Sequence, residues 1–131
     1  MSLGKSATPL GKVTHTGSAK HGGDHWLDEK VLSAALLLLG TWFIASLAML
    51  PALDQQSIIE WLRHPTGAIP MALFIIASFR HALDGLKVVV DDYIYDEGSR
   101  FALNTFFYFA AVGGGALALF ALARIAFGVP A

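Results

Sequence analysis

Residues 80–93 read RHALDGLKVVVDDY, a stretch that sets a histidine, an acid pair and a tyrosine into apolar sequence. His81 and Asp92 are eleven residues apart. On a helix that is close to three turns, so both side chains point along nearly one face, about 17 Å apart at ~1.5 Å per residue. With Asp92 at a membrane boundary, His81 lies near the middle of the bilayer. Ionisable groups at that depth are expensive and rarely idle. Ala77 and Gly85, four residues either side of His81, clear a flat space beside the imidazole. A neutral imidazole with small neighbours suits an axial haem ligand, because a bulky neighbour would foul the porphyrin. The same pattern fits a histidine hydrogen-bonded to a neighbouring helix, and spacing alone leaves both readings open. His64 lies at the other end of this segment, and His15, His21 and His25 lie near the N-terminus. A haem here therefore takes its second imidazole from a partner chain.

Asp91, Asp92 and Tyr93 close the same segment. Residue types alone favour a solvated helix end with an interfacial tyrosine. The chemical alternative is a phenol that donates to a quinone carbonyl beside a carboxylate that relays protons. Arg80, Asp84 and Lys87 stand at i, i+4 and i+7, so the acid can neutralise either neighbour within the helix. One positive charge is left over, for haem propionates, a partner's acid or lipid headgroups. A helix with this stripe does not face lipid all round, which predicts a buried protein interface.

The elements that must position these groups are helices. Residues 31–53 carry no charge over 23 residues, enough to span a hydrocarbon core about 30 Å thick. Trp42 falls in mid-run, as a packing residue would. Residues 54–63 form a short amphipathic surface helix with Ile58, Ile59 and Leu62 on one face and Trp61 at the interface. Residues 65–93 form the second span, with Pro70 in its first turn or at a kink. Residues 101–124 form the third, and Gly113, Gly114 and Gly115 give it a small-residue face for close packing. Residues 1–30 hold four Lys, five Gly and three of the five His, and read as a polar arm rather than a secretory signal or transit peptide. Its lysines outnumber the single Arg63 between the first two spans, which puts the N-terminus in the cytoplasm. Three spans then place the 94–100 loop in the cytoplasm and the C-terminus, with Arg124 near it, outside.

Composition agrees. The 131 residues are 55% hydrophobic and 15% charged, against about 25% charge in a soluble domain. Mean hydropathy is +0.57. So apolar a chain needs a solvent other than water, which excludes a disordered tail and an ordinary cytosolic enzyme. A net charge of −1 excludes a bulk basic field for nucleic acid. The absence of cysteine excludes disulfides, thiolate metal sites, cysteine nucleophiles and iron–sulfur ligation by this chain. No P-loop, zinc motif or Ser/His/Asp set is present. The fold class expected is an all-α integral membrane protein with three transmembrane helices.

The run RHALDGLKVVVDDYI, residues 80–94, resembles the second helix of the hydrophobic membrane anchors of succinate dehydrogenase (complex II). That family's pattern is a His, a Gly four residues on, and Asp-Tyr eleven and twelve residues on, met here by His81, Gly85, Asp92 and Tyr93 without gaps. GSAKHGGDHW, residues 17–26, is similar to the arm of the bacterial anchors, and three spans and overall length agree. The resemblance covers most of the chain, with the specific motif confined to residues 81–93. It implies one half of a heterodimeric anchor bundle, formed with a second, different anchor chain in the bacterial inner membrane. That bundle holds two soluble partners, a flavoprotein and an iron–sulfur protein. The resemblance implies that His81 ligates haem b together with a ligand from the other anchor chain. It also implies that Tyr93 bonds a ubiquinone oxygen, and that Asp92 supports that site and its protons. Related anchors often carry an Arg shortly after the arm's His. Lys30 stands there in this sequence, a point charge without the bidentate fork, and Lys87 is a second candidate for the propionates. From another class, a small transporter would use Arg80, His81, Asp84 and Lys87 as an intramembrane proton or ion relay. A third reading is an anchor whose polar residues only pair with partner helices.

Overall fold

The computed structural model describes residues 22–128, with side chains from residue 26 onward. The readings placed on residues 1–21, His15 and His21 among them, lie outside the described residues. The boundary between Lys30 and Val31 divides the chain into two units. All secondary structure among the described residues is helical: α1 (Gly22–Ala48), α2 (Gln55–Arg63), α3 (Pro65–Tyr93) and α4 (Glu97–Ala126).

α1 runs over 27 residues. It starts well before the expected residue 31, because neither Gly nor Pro interrupts the chain between Asp24 and the apolar run. Residues 22–30, at the end of the polar arm, are thus helical. It also stops five residues before the expected end at Leu53. Pro51 has no N–H to continue the ladder, and its ring restricts Leu50 before it. The last helical-type bonds run from Met49 N–H to the Ala45 carbonyl and from Leu50 N–H to the Leu47 carbonyl.

α2 is capped by Asp54, whose Oδ1 accepts from the Ser57 N–H at 2.8 Å. Its inward face ends on Leu62, which is buried. α2 packs on the start of α3 and against α4. The first of these contacts requires Gly67, since a Cβ there would overlap the Trp61 carbonyl. α1 reaches the rest through aromatic rings. Trp42 meets Trp61 at 5.6 Å between centroids, and Phe43 stacks on Phe74 at 5.5 Å. Trp42 is the packing residue its mid-run position predicts.

α3 spans 29 residues from Pro65, which suits a helix start because its missing N–H has no partner there anyway. Pro70 lies inside the helix, one turn beyond the expected first turn. α3 and α4 form an antiparallel hairpin joined by Ile94–Asp96 alone. The expected 94–100 loop is shorter because Asp96 caps α4, its Oδ2 accepting from the Ser99 N–H at 2.7 Å. In the middle of the hairpin Phe79 seats against Gly114 and Gly115. A Cβ on Gly114 would come within 2.8 Å of the Phe79 ring, so this backbone approach depends on glycine. Gly113 has open space beside it. α4 closes at Phe127, with Gly128 in the left-handed region at φ 66°.

Among the described hydrophobic side chains only Leu62, Ala77, Val90 and Leu122 are buried, while Leu37, Leu38, Phe101 and Leu117 are over 70% exposed. A water-soluble fold would reverse this distribution. Trp26–Ala48 and Glu97–Ala126 are long and apolar enough to cross a membrane. α3 matches them in length but carries Arg80, Asp84, Lys87, Asp91 and Asp92.

The Asp96 cap makes a pH-dependent contribution. The Ser99 backbone N–H, and then the Ser99 side chain, hold its carboxyl below the ordinary value of 3.8. Folding thus favours the ionised form. The stabilisation is complete above pH 3.8 and is lost as pH falls through the depressed value. Asp96→Ala is expected to lower the melting temperature at neutral pH, and the gap from wild type is expected to shrink below that value, as thermal scans across pH will show.

Candidate functional site

α3 presents two different chemical faces. The first carries His81, Gly85 and Asp92, on the side where Phe74, two turns before His81, meets Phe43 of α1. Helical spacing puts Phe74, His81, Gly85 and Asp92 within about 40° of one another around the axis. His81 is exposed and has no hydrogen bond, ion pair or ring contact among the described residues. The alternative of a histidine bonded to a neighbouring helix is therefore not realised among them. A Cβ built on Gly85 meets nothing within 4 Å, so the surface one turn beyond the imidazole is open. Ala77, one turn before it, is buried. An unpartnered imidazole with open glycine surface beside it fits a planar ligand laid against the helix.

Asp92 and Tyr93 stand exposed where α3 ends, and Tyr93 is 74% accessible. The helix terminus beneath them is fixed. The Ile94 N–H bonds the Val90 carbonyl at 2.9 Å, and Val90 is buried. On the neighbouring face the Asn104 Nδ2 donates to Asp91 Oδ1 at 3.1 Å and ties the end of α3 to α4. The acid pair thus splits. Asp91 is engaged by α4, while Asp92 is left on the face of His81.

The second face holds the charge stripe. Arg80 Nε donates to Asp84 Oδ2 at 2.8 Å, the i, i+4 pair that the spacing predicts. Lys87 has no ion pair among the described residues. It sits about 120° around the helix from His81, turned toward α4, so the structure does not bring this propionate candidate to the imidazole's face. Lys30, the other candidate, places its Nζ 5.8 Å from the centre of the Trp26 ring one turn earlier on α1.

Sequence reasoning missed a cavity of about 670 Å³ between this second face and α4. Arg80, Asp84 and Lys87 form one wall, and Arg100, Asn104 and Tyr108 belong to the other. The signal was present: Glu97, Arg100, Asn104 and Tyr108 recur every three or four residues near the start of α4, with Thr105 beside Asn104.

Fold and surface together define a membrane protein that is all-helical among the described residues. The family model for the succinate dehydrogenase/fumarate reductase transmembrane subunit matches residues 4–123, and the chain belongs to that family. It is similar to the succinate dehydrogenase hydrophobic membrane anchor subunit of Paracoccus denitrificans, with 31% identity over 92% of this chain and 93% of that protein. The protein of the same name from Rickettsia bellii is 36% identical over 63% of this chain, and that from Rickettsia conorii is 33% identical over 63%. The matched segments span about two thirds of those Rickettsia proteins, 66% and 67%. No solved structure matches the chain.

Proposed function

We propose that this chain is a membrane anchor of a succinate:quinone oxidoreductase, with three membrane-crossing helices and its N-terminus in the cytoplasm of a bacterial inner membrane. The observation that carries the site assignment is the exposed, unpartnered His81 with open surface at Gly85, on the same face as Asp92. A soluble flavoprotein and an iron–sulfur protein dock on the cytoplasmic side, and a second anchor chain packs on α3. α3 crosses as the middle helix. Its 29 residues lie between the 27 of α1 and the 30 of α4, and its charges are tempered by the Arg80–Asp84 pair and the Asp91–Asn104 bond.

In this reading His81 would hold haem b through its imidazole, together with a residue of the second anchor chain. Haem b, when bound, offers a one-electron store between the iron–sulfur protein and the quinone. Lys87 turns to α4, away from the imidazole's face. At the end of α3 the Tyr93 hydroxyl donates to a ubiquinone carbonyl oxygen. The Asp92 carboxylate beside it holds and passes the protons that the doubly reduced ring takes up. Electrons come from succinate, oxidised to fumarate in the flavoprotein.

Two variants test the two halves separately. His81→Ala is expected to abolish the bis-imidazole b-type absorption of the purified complex, and an unchanged reduced-minus-oxidised spectrum would contradict the ligand assignment. Tyr93→Phe removes one neutral hydrogen bond of about 1 kcal/mol. It is expected to slow quinone reduction by roughly fivefold, while succinate oxidation by a soluble dye is unaffected. Normal quinone reduction in that variant would remove Tyr93 from the site.

A further inference from the structure

The cavity between α3 and α4 has no part in the proposed haem and quinone chemistry, since its charged wall lies on the other face of α3 from His81. Its lining carries three cations, Arg80, Lys87 and Arg100, against two acids, Asp84 and Glu97. Asp84 is already bonded to Arg80. Lys87 and Arg100 have no ion-pair partner among the described residues. Asn104 spends its Nδ2 on Asp91, and its Oδ1 is buried without a hydrogen-bond partner. With Lys87 and Arg100 unpaired, the space asks for an anion.

Its shape adds a second demand. Arg80 and Leu83 also line an apolar groove of about 320 Å³ that continues along the same two helices toward their middle. Ile76, Phe79, Val112, Ala116 and Leu119 form its walls. It follows α3 from Ile75 to Leu83, about 12 Å at ~1.5 Å per residue, and it opens sideways rather than into the core. A cationic head site above an apolar slot on a membrane helix pair complements a molecule that is anionic at one end and hydrocarbon at the other.

We propose that the α3–α4 groove is a binding site for an acidic phospholipid. The phosphate lies between Lys87 and Arg100, and an acyl chain lies in the slot beside Phe79. A free inorganic anion would leave the slot unused, and a zwitterionic lipid would bring its own cation toward Arg100.

The test uses the whole complex purified in a non-ionic detergent, with phosphatidylglycerol as the probe. Quantitative lipid extraction is expected to find phosphatidylglycerol retained in preference to phosphatidylethanolamine. Arg100→Gln removes one charge-assisted contact and is expected to lower that retention about tenfold. Ala116→Trp fills the slot at an exposed position and is expected to have the same effect, with the haem-to-protein ratio of both variants confirming assembly. After delipidation, phosphatidylglycerol is expected to raise the melting temperature and inorganic phosphate is not. A photo-reactive side chain at Thr105 is expected to capture lipid. Equal retention in wild type and both variants, equal rescue by inorganic phosphate, or capture of a partner-chain peptide at Thr105 would each overturn the proposal.

Discussion

Hydrocarbon supplies no hydrogen bonds, and this constraint orders the rest of the structure. Backbone groups must be satisfied within each segment, so the membrane-facing elements are long helices. Side chains outside can be apolar without cost, so Leu37, Leu38 and Leu117 need no cover. Association between helices then rests on close packing rather than on expulsion of water. The hairpin of α3 and α4 shows this: Phe79 lies where Gly114 and Gly115 let the backbone approach. α1 joins through stacked rings, Phe43 on Phe74 and Trp42 on Trp61.

The same constraint makes the polar groups of α3 informative. Arg80 finds Asp84 one turn on, and Asp91 finds Asn104 across the hairpin. These contacts need only this chain. Among the described residues His81 has none, nor does Lys87, and both stand at the surface of the helix. Side chains left open on a helix of this kind point to what the chain meets in its assembly. The two unsatisfied groups lie on different faces, which separates the proposed site for a planar ligand from the proposed site for an acidic lipid.

Much of the fold was legible in the sequence, because a run of apolar residues about 20 long has few alternatives to a helix. The ends were less legible. Val31 and Leu53 mark where charge ceases and resumes, whereas the helix obeys backbone rules, passing through Asp28 and Lys30 and stopping ahead of Pro51. The start of α4 is set by the Asp96–Ser99 cap, four residues before the apolar run begins. At the site, the 81–93 spacing placed His81 and Asp92 on one face because helical period alone decides that. The wall of the α3–α4 cavity was not legible in that way. It requires knowing that Arg100 and Asn104 face Lys87 across a three-residue turn, a pairing that register along two helices determines. Lys87 was offered to haem on charge alone, and its direction around the helix turns it to α4 instead.

The central claim is that this chain seats a succinate-oxidising enzyme on the membrane. The most direct measurement is affinity purification of the tagged chain from native membranes, followed by identification of the copurifying proteins and a visible spectrum of the eluate. The account predicts a flavoprotein, an iron–sulfur protein and a second small anchor in equal amounts, with b-type haem absorption and succinate-dependent quinone reduction. Recovery of the chain alone or as a self-assembled oligomer, without flavoprotein or haem, would contradict it.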